Sequence, residues 1–282
     1  MVIRTWLALA VLCAGTARGA GPSYSAAGIV NASNFTAGPF APNSVVSIFG
    51  TNLAFSSQAL ADADLVACGT AQLPARCISH NDLNGVRVYV QDQPVPVLFV
   101  SPGQVNFIMS STETAGPVTI RVVNNGNTGP YATVTLVDAA PALFPNPVAA
   151  GYAIAQDAKG NLLTADAPAH AGDIVVLYAT GLGRTSPSPA VFEIPAYAAS
   201  ICQMSQTIPP ICSSVLALAS LKVTLNGMAL DPKLILYAGV TPGSAGLYQI
   251  NLSLPEGTGN DPEIHLTAGN LTAQTGLKLP LR

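Results

Sequence analysis

Charged residues are scarce in this chain. They make up 9% of its 282 residues, whereas an ordinary soluble domain has about 25%. Lys and Arg number 11 against 14 Asp and Glu, so the formal net charge is −3 at pH 7. Because affinity for phosphate comes mainly from Lys and Arg, this composition argues against nucleic acid or an anionic membrane as a partner. Hydrophobic residues reach 49%, which excludes an intrinsically disordered chain.

Long apolar runs and tryptophan are also scarce. One run, Trp6–Ala14, follows Arg4 and precedes Ala17-Arg18-Gly19, an order typical of a cleaved secretory signal peptide. The run is shorter than the ~20 residues that span a bilayer, and no other run approaches that length. We therefore predict a signal peptide at residues 1–20 and a secreted mature chain without a membrane span. Cleavage removes the single Trp and lowers Lys plus Arg from 11 to 9 against 14 acidic residues, so the mature net charge is −5.

Signatures of catalysis are missing. The three histidines, His80, His170 and His265, occupy unrelated places along the chain, so neither a zinc triad nor a shared general base is predicted. The sequence contains no Gly-x-Ser-x-Gly nucleophile motif. We predict no catalytic residues and no cofactor, and therefore no enzyme.

One group of polar residues suggests a cation site. Asp157, Asn161 and Asp166 carry the oxygen ligands that Ca²⁺ prefers, but they lack the alternating spacing and the closing Glu of an EF-hand loop. A polar hairpin turn is the favoured interpretation. No metal site is predicted.

Gly (25) and Pro (23) are plentiful, and they separate segments that occur twice. Residues 43–54 align without a gap with residues 172–183, so that Phe49 matches Tyr178. Five further blocks follow in the same order: 86–90 with 221–225, 97–100 with 235–238, 104–107 with 249–252, 118–122 with 264–266, and 133–137 with 277–281. Phe99 thereby matches Tyr237. Each copy reads as about seven short alternating strands, which predicts an all-β protein of two tandem immunoglobulin-like β-sandwiches, at residues 21–138 and 139–282.

The cysteines follow the same repeat. Cys68 and Cys77 lie in the first copy, and Cys202 and Cys212 lie in the matching segment of the second. Of the three possible connectivities, pairing within each copy is favoured, and closing such a loop stabilises a fold by roughly 3 kcal/mol. Both segments hold turn and polar residues, so we expect surface loops pinned at their necks. A Cys₄ metal site is disfavoured because its ligands would sit on different domains and lack Cys-x-x-Cys spacing.

Two pairs of amides also repeat. Gln104 and Asn106 of the first copy correspond to Gln249 and Asn251 of the second. In each pair the amides alternate with apolar residues, which places them on one face of a strand. The face is either a ligand-binding strip or a framework feature in which the amides hydrogen-bond to neighbouring loop backbone. Repetition in both copies favours the framework role.

The order of these motifs resembles a known family, the Solibacter-type C-terminal domain of secreted bacterial proteins. More distantly, each half is similar to IPT/TIG immunoglobulin-like domains, in which a Gly-x-Asn-Leu turn follows the second strand. The resemblance implies a sandwich fold and an extracellular location, and it carries no enzymatic activity. It rests on these segments: 30–32, 41–54, 94–102, 104–107, 178–183 and 246–251.

These observations favour a non-catalytic extracellular module for adhesion, spacing or protein interaction, whose partner is an extracellular protein or a glycan. A carbohydrate-binding module is the alternative. The mature chain lacks the Trp that sugar platforms favour, although Tyr89, Tyr131 or Tyr197 would serve if exposed. An enzyme with an unfamiliar site is a third reading, because a fold does not exclude an activity.

Overall fold

The computed structural model describes residues 19–196 and 221–282. Most of the predicted signal peptide lies outside these residues, as do Cys202, Cys212 and Tyr197. Regular helix within the described ranges consists of short 3₁₀ turns, at Ala26–Gly28, Asp62–Asp64 and Pro232–Leu234. No helix in this part of the chain is long and apolar enough to cross a membrane.

Twelve strands come from the first half of the chain: β1 (Ile29–Asn31), β2 (Val45–Phe49), β3 (Gln58–Ala59), β4 (Leu65–Gly69), β5 (Pro74–Ile78), β6 (Val86–Val90), β7 (Gln93–Val95), β8 (Val97–Ser101), β9 (Gln104–Ile108), β10 (Gly116–Asn124), β11 (Asn127–Thr128) and β12 (Ala132–Leu136). A front sheet has the order β1-β2-β9-β8-β3. A back sheet has the order β11-β10-β6-β7, and β12 also pairs with β10.

Ten described strands follow in the second half: β13 (Ala142–Leu143), β14 (Ala155–Asp157), β15 (Ile174–Thr180), β16 (Glu193–Pro195), β17 (Lys222–Leu225), β18 (Met228–Ala229), β19 (Ile235–Val240), β20 (Tyr248–Ser253), β21 (Ile264–Ala268) and β22 (Leu271–Thr272). The front sheet here is β13-β15-β20-β19, with β14 also on β15, and the back sheet is β18-β17-β21-β22.

The two halves share a common strand order: β1-β2-β9-β8 matches β14-β15-β20-β19, and β7-β6-β10-β11 matches β18-β17-β21-β22. In both front sheets the middle strand pairs reproduce each other in register, since Phe49 faces Gln104 and Tyr178 faces Gln249. Even the irregularities agree, because the ladders β8–β9 and β19–β20 shift register at the same point, just before Phe99 and Tyr237. The prediction of an all-β protein built from tandem immunoglobulin-like sandwiches is confirmed.

Alternation along the strands builds a separate core in each sandwich. In β6 the side chains of Val86, Val88 and Val90 are buried, while Arg87 between them is exposed. Since neighbouring side chains of a strand point to opposite faces, each strand supplies one apolar row. The first core joins these valines to Phe107 and Leu136, among others. A second cluster of buried residues runs from Ala139 to Leu281.

The segment around the first cysteine pair differs from the prediction of a pinned loop. Strands β4 and β5 form a regular hairpin, and Cys68 and Cys77 join in a disulfide across it. Strand β16 of the second half pairs with β5, so that Glu193 faces Cys77 and Pro195 faces Ala75. The strands escaped prediction because β4 exposes both of its faces and therefore shows no apolar alternation.

Further contacts hold one sandwich against the other. The backbone N–H of Val45 donates to Thr180 Oγ1 at 2.9 Å, and Ser33 Oγ donates to the carbonyl of Leu143 at 2.5 Å. Arg184 Nε donates to the carbonyl of Ser111 at 3.1 Å. With the β5–β16 ladder, these bonds give the two sandwiches a defined mutual orientation.

Candidate interaction surfaces

The repeated amides lie on the outward face of each front sheet. Gln104 Nε2 donates to Asn106 Oδ1 at 2.8 Å, and Gln249 Nε2 donates to Asn251 Oδ1 at 3.2 Å. All four side chains are half-buried. The amides thus bond to one another along the strand, and among the described residues no bond joins them to loop backbone, the partner that the framework interpretation expects. Residues two apart on a strand share a face, with a separation of about 6.6 Å that long side chains bridge.

Aromatic residues flank the amides, and the two copies differ there. In the second copy the Tyr178 hydroxyl donates to Gln156 Oε1 at 2.6 Å, and the Tyr237 hydroxyl donates to the carbonyl of Val240 at 2.8 Å. Burial raises the pKa of Tyr237 to about 12. Phe49 and Phe99 take these positions in the first copy. Beside the amides of the second copy, the tyrosine hydroxyls are therefore engaged in internal hydrogen bonds. Beside those of the first copy lie apolar phenylalanine rings.

A different cluster occupies the outward face of the first back sheet. Tyr89 on β6 lies directly opposite Arg121 on β10. The guanidinium carbon of Arg121 is 4.7 Å from the ring centroid of Tyr89 and 5.1 Å from that of Tyr131. Arg121 Nη2 and the hydroxyl of Tyr131 both donate to Asp92 Oδ1 at 3.0 Å. These four residues, Tyr89, Asp92, Arg121 and Tyr131, are called the Tyr–Arg cluster below.

Two kinds of interaction hold the cluster together: the ion pair between Arg121 and Asp92, and the cation–π contacts of Arg121 with the two tyrosine rings. A cation over an aromatic ring contributes about 0.5–1 kcal/mol at an exposed site. The hydrogen bond to Asp92 raises the pKa of Tyr131, because the carboxylate accepts from the neutral phenol. Tyr131 nevertheless remains 58% exposed. The result is a pre-ordered polar and aromatic surface open to solvent.

The described residues of the second sandwich, 139–196 and 221–282, form no such cluster. Its matching back-sheet pair is Thr224 opposite His265, and His265 Nε2 lies 3.0 Å from Glu263 Oε1. The turns that follow β6 and β17 differ as well, since Asp92 with φ of 59° stands where the second copy has Gly227 with φ of 78°. A framework feature would repeat with the fold. The Tyr–Arg cluster does not, which makes it the stronger candidate for recognition.

The remaining histidines lie in separate local contacts. His80 Nε2 is 3.1 Å from Asp64 Oδ1, and His170 Nδ1 is 3.7 Å from Asp173 Oδ2. Within residues 19–196 and 221–282, no group of three or more His, Cys, Asp or Glu is placed to hold a metal ion.

Asp157 closes a hairpin turn. Its Oδ1 accepts from the backbone N–H groups of Lys159 and Asn161, each at 2.8 Å, and its Oδ2 accepts from Asn161 Nδ2 at 2.7 Å. These bonds lower the pKa of Asp157, the side chain of Asn161 contributing most. The carboxylate therefore serves the turn, in agreement with the polar-turn interpretation.

Sequence reasoning named Tyr89 and Tyr131 but missed Arg121 and Asp92. The alternation of β10 places Arg121 on the polar face of its strand, and this was the available signal. Its contact with Tyr89 depends on the pairing of strands some thirty residues apart, which the sequence does not state.

Comparisons with known proteins bear on the fold. Residues 29–137 match the IPT/TIG domain, and no curated protein matches the chain. Among solved structures, the surface glycan-binding protein PbSGBP-B from Prevotella bryantii is 11% identical with a TM-score of 0.25, and the alignment covers 88% of this chain and 40% of that one. The SGBP-B of the Bacteroides ovatus mixed-linkage glucan utilization locus is 8% identical with a TM-score of 0.32, covering 92% and 47%.

Gamma-CGTase from alkalophilic Bacillus clarkii is 11% identical with a TM-score of 0.27, covering 93% of this chain and 26% of the enzyme. The chain thus spans less than half the length of these proteins, and likeness at this level carries no argument about a ligand. The match to the family model is a match of sequence, and its residues coincide with strands β1 to β12 of the first sandwich. An IPT/TIG domain is thus found at residues 29–137, within the first sandwich, which supports a general IPT/TIG-like likeness.

Proposed function

We propose that this protein is a secreted, non-catalytic module of the Solibacter type, which binds an extracellular partner protein through the Tyr–Arg cluster. The observation that carries the proposal is the arginine held between two tyrosines, which among the described residues occurs in the first sandwich and not at the matching position of the second. Secretion rests on the predicted signal peptide. It is supported by the Cys68–Cys77 disulfide, because disulfides persist in oxidising compartments.

The chemistry of the cluster suits a protein partner. Tyr and Arg are enriched among the residues that dominate the binding energy of protein interfaces. Tyrosine also offers a large contact area with few rotatable bonds, so ordering it on binding costs little entropy. The cluster lies on a sheet face, whereas small ligands bind in concave pockets.

The test is capture from surface proteins of the producing bacterium by the mature protein, residues 21–282. We expect capture to be abolished by protease treatment of the surface fraction and to survive periodate, which oxidises sugar diols. Against the purified partner, Tyr131→Ala and Arg121→Ala should each weaken affinity by about 30-fold, as loss of a dominant interface residue does.

His265→Ala is the matched control, because His265 takes the place of Arg121 in the second sandwich; it should bind like the parent protein. Equal affinity of parent, Tyr131→Ala and Arg121→Ala would refute the proposed site. Capture that resists protease but is lost after periodate would indicate a glycan partner.

A further inference from the structure

Phe35 has a backbone conformation that phenylalanine rarely adopts. Its φ is 56°, in the left-handed region where a bulky residue is an outlier and costs free energy. Burial does not offset that cost, since the side chain is 60% exposed. An exposed aromatic residue in a strained position is a reason to look for a function.

In the second sandwich the matching turn is one residue shorter, and glycine takes the left-handed position. The turn after β1 closes with the N–H of Asn31 donating to the carbonyl of Thr36, and the matching turn after β14 closes from Asp157 to Asn161. The residue before the closing carbonyl is Phe35 in one copy and Gly160 in the other. Gly160 has φ of 85°, a value that glycine adopts without strain.

Phe35 extends an aromatic and amide surface on the front sheet. Its ring centroid is 6.1 Å from that of Phe49, with 57° between the ring planes. Phe49 is 39% exposed and lies beside Gln104, while Phe99 lies beside Asn106 on the other edge of β9. These five residues, Phe35, Phe49, Phe99, Gln104 and Asn106, are called the Phe–amide face.

The Phe–amide face carries no charge but has hydrogen-bonding capacity to spare. The other side chains on this side of β2, β8 and β9 are also uncharged: Val45, Ser47, Ser101 and Ile108, of which Ser47 and Ile108 are buried. Asn106 Oδ1 accepts from Ser47 and Gln104. Among the described residues no hydrogen bond engages Asn106 Nδ2 or Gln104 Oε1, so one donor and one acceptor remain available beside the rings.

We infer that the Phe–amide face binds a neutral polysaccharide. Aromatic rings offer apolar surface to the C–H faces of sugar rings, and amides both donate to and accept from hydroxyl groups. The absence of charge on the face matches a neutral chain, and an open sheet surface accommodates a polymer better than a small sugar, which needs a concave site. This face lies on the front sheet, so it is separate from the Tyr–Arg cluster on the back sheet.

The test is affinity electrophoresis of the mature protein in native gels containing hydroxyethyl cellulose, galactomannan or anionic polygalacturonate. We expect retardation by at least one of the two neutral polymers and none by polygalacturonate. Phe35→Asn should weaken retardation at least tenfold while the melting temperature stays equal or rises, because asparagine tolerates the left-handed conformation. Phe49→Ala should also weaken it.

Two controls separate this inference from the proposed function. Phe55→Asn removes a phenylalanine that is 68% exposed and outside the face, and it should migrate like the parent protein. Tyr131→Ala should keep polysaccharide binding while it loses the partner protein. The inference is overturned if neither neutral polymer retards the protein, if Phe35→Asn binds unchanged or melts lower, or if sedimentation shows a dimer that Phe35→Asn abolishes.

Discussion

Asn106 and Asn251 occupy matching positions but accept different numbers of hydrogen bonds. Asn106 Oδ1 accepts from Gln104 and from Ser47 Oγ, the latter at 2.8 Å, and Ser47 is buried. Asn251 Oδ1 accepts from Gln249, while Val176, which replaces Ser47, has no hydroxyl. The two asparagines therefore match in sequence, but only Asn106 also accepts a hydrogen bond from a buried hydroxyl group.

We expect Asn106→Ala to lower the free energy of unfolding by about 1–3 kcal/mol, because it leaves the buried hydroxyl of Ser47 without an acceptor. Asn251→Ala should cost about 1 kcal/mol or less, since it breaks one half-exposed bond. Urea unfolding of the two variants measures the difference. Adding Ser47→Ala to Asn106→Ala should recover stability; equal losses in both single variants would contradict this account.

At the scale of elements, the same turn is built with different residues in the two sandwiches. After β2 the left-handed position is Asn52, with φ of 57°, and after β15 it is Gly181, with φ of 76°. A Cβ atom on Gly181 would lie 2.1 Å from the carbonyl oxygen of Ala140. The chain linking the sandwiches therefore passes so close to the second turn that only glycine fits.

Asn52 holds the matching position in the first sandwich, yet Gly181→Asn should strongly destabilise the protein. We expect a loss of at least about 2 kcal/mol in unfolding free energy, because the side chain must displace the linker backbone at a position L-residues already disfavour. Asn52→Gly, the reverse change in the first sandwich, should stay within about 1 kcal/mol. Thermal unfolding compares them, and a Gly181→Asn protein as stable as Asn52→Gly would refute the close approach.

At the scale of the whole molecule, the two sandwiches are joined by hydrogen bonds as well as by the linker. Thr180 is fully buried, and its hydroxyl oxygen accepts from the N–H of Val45 in the first sandwich. Strand β16 extends the β4–β5 hairpin, whose disulfide lies beside that junction. Faces on the first sandwich are thus presented in a fixed relation to the second.

We expect the mature protein to unfold in a single calorimetric transition, since these contacts couple the two cores. Thr180→Val keeps the shape of the side chain but leaves the N–H of Val45 without an acceptor, which should cost about 1–3 kcal/mol. Thr135→Val, at an exposed position of β12, is the control and should change little. Two separate transitions in the parent protein would show that the sandwiches unfold independently.

The sequence by itself determined those strands that bury one face and expose the other. Alternating rows such as Val86, Val88 and Val90 are local patterns, and burial of one face of each strand follows from them directly. The Asn125-Gly126 turn is likewise a local pattern, and both residues have the positive φ that such a hairpin requires.

Only the tertiary structure decided which side chains meet. Arg121 stacks between Tyr89 and Tyr131 because of the register between distant strands, and Phe35 reaches Phe49 because its turn folds over the front sheet. Strand β16 pairs with β5 across the two halves, and the sequence pattern of neither strand predicts this pairing. Alternation is a property of neighbours along the chain, whereas recognition surfaces depend on pairings between residues far apart in it.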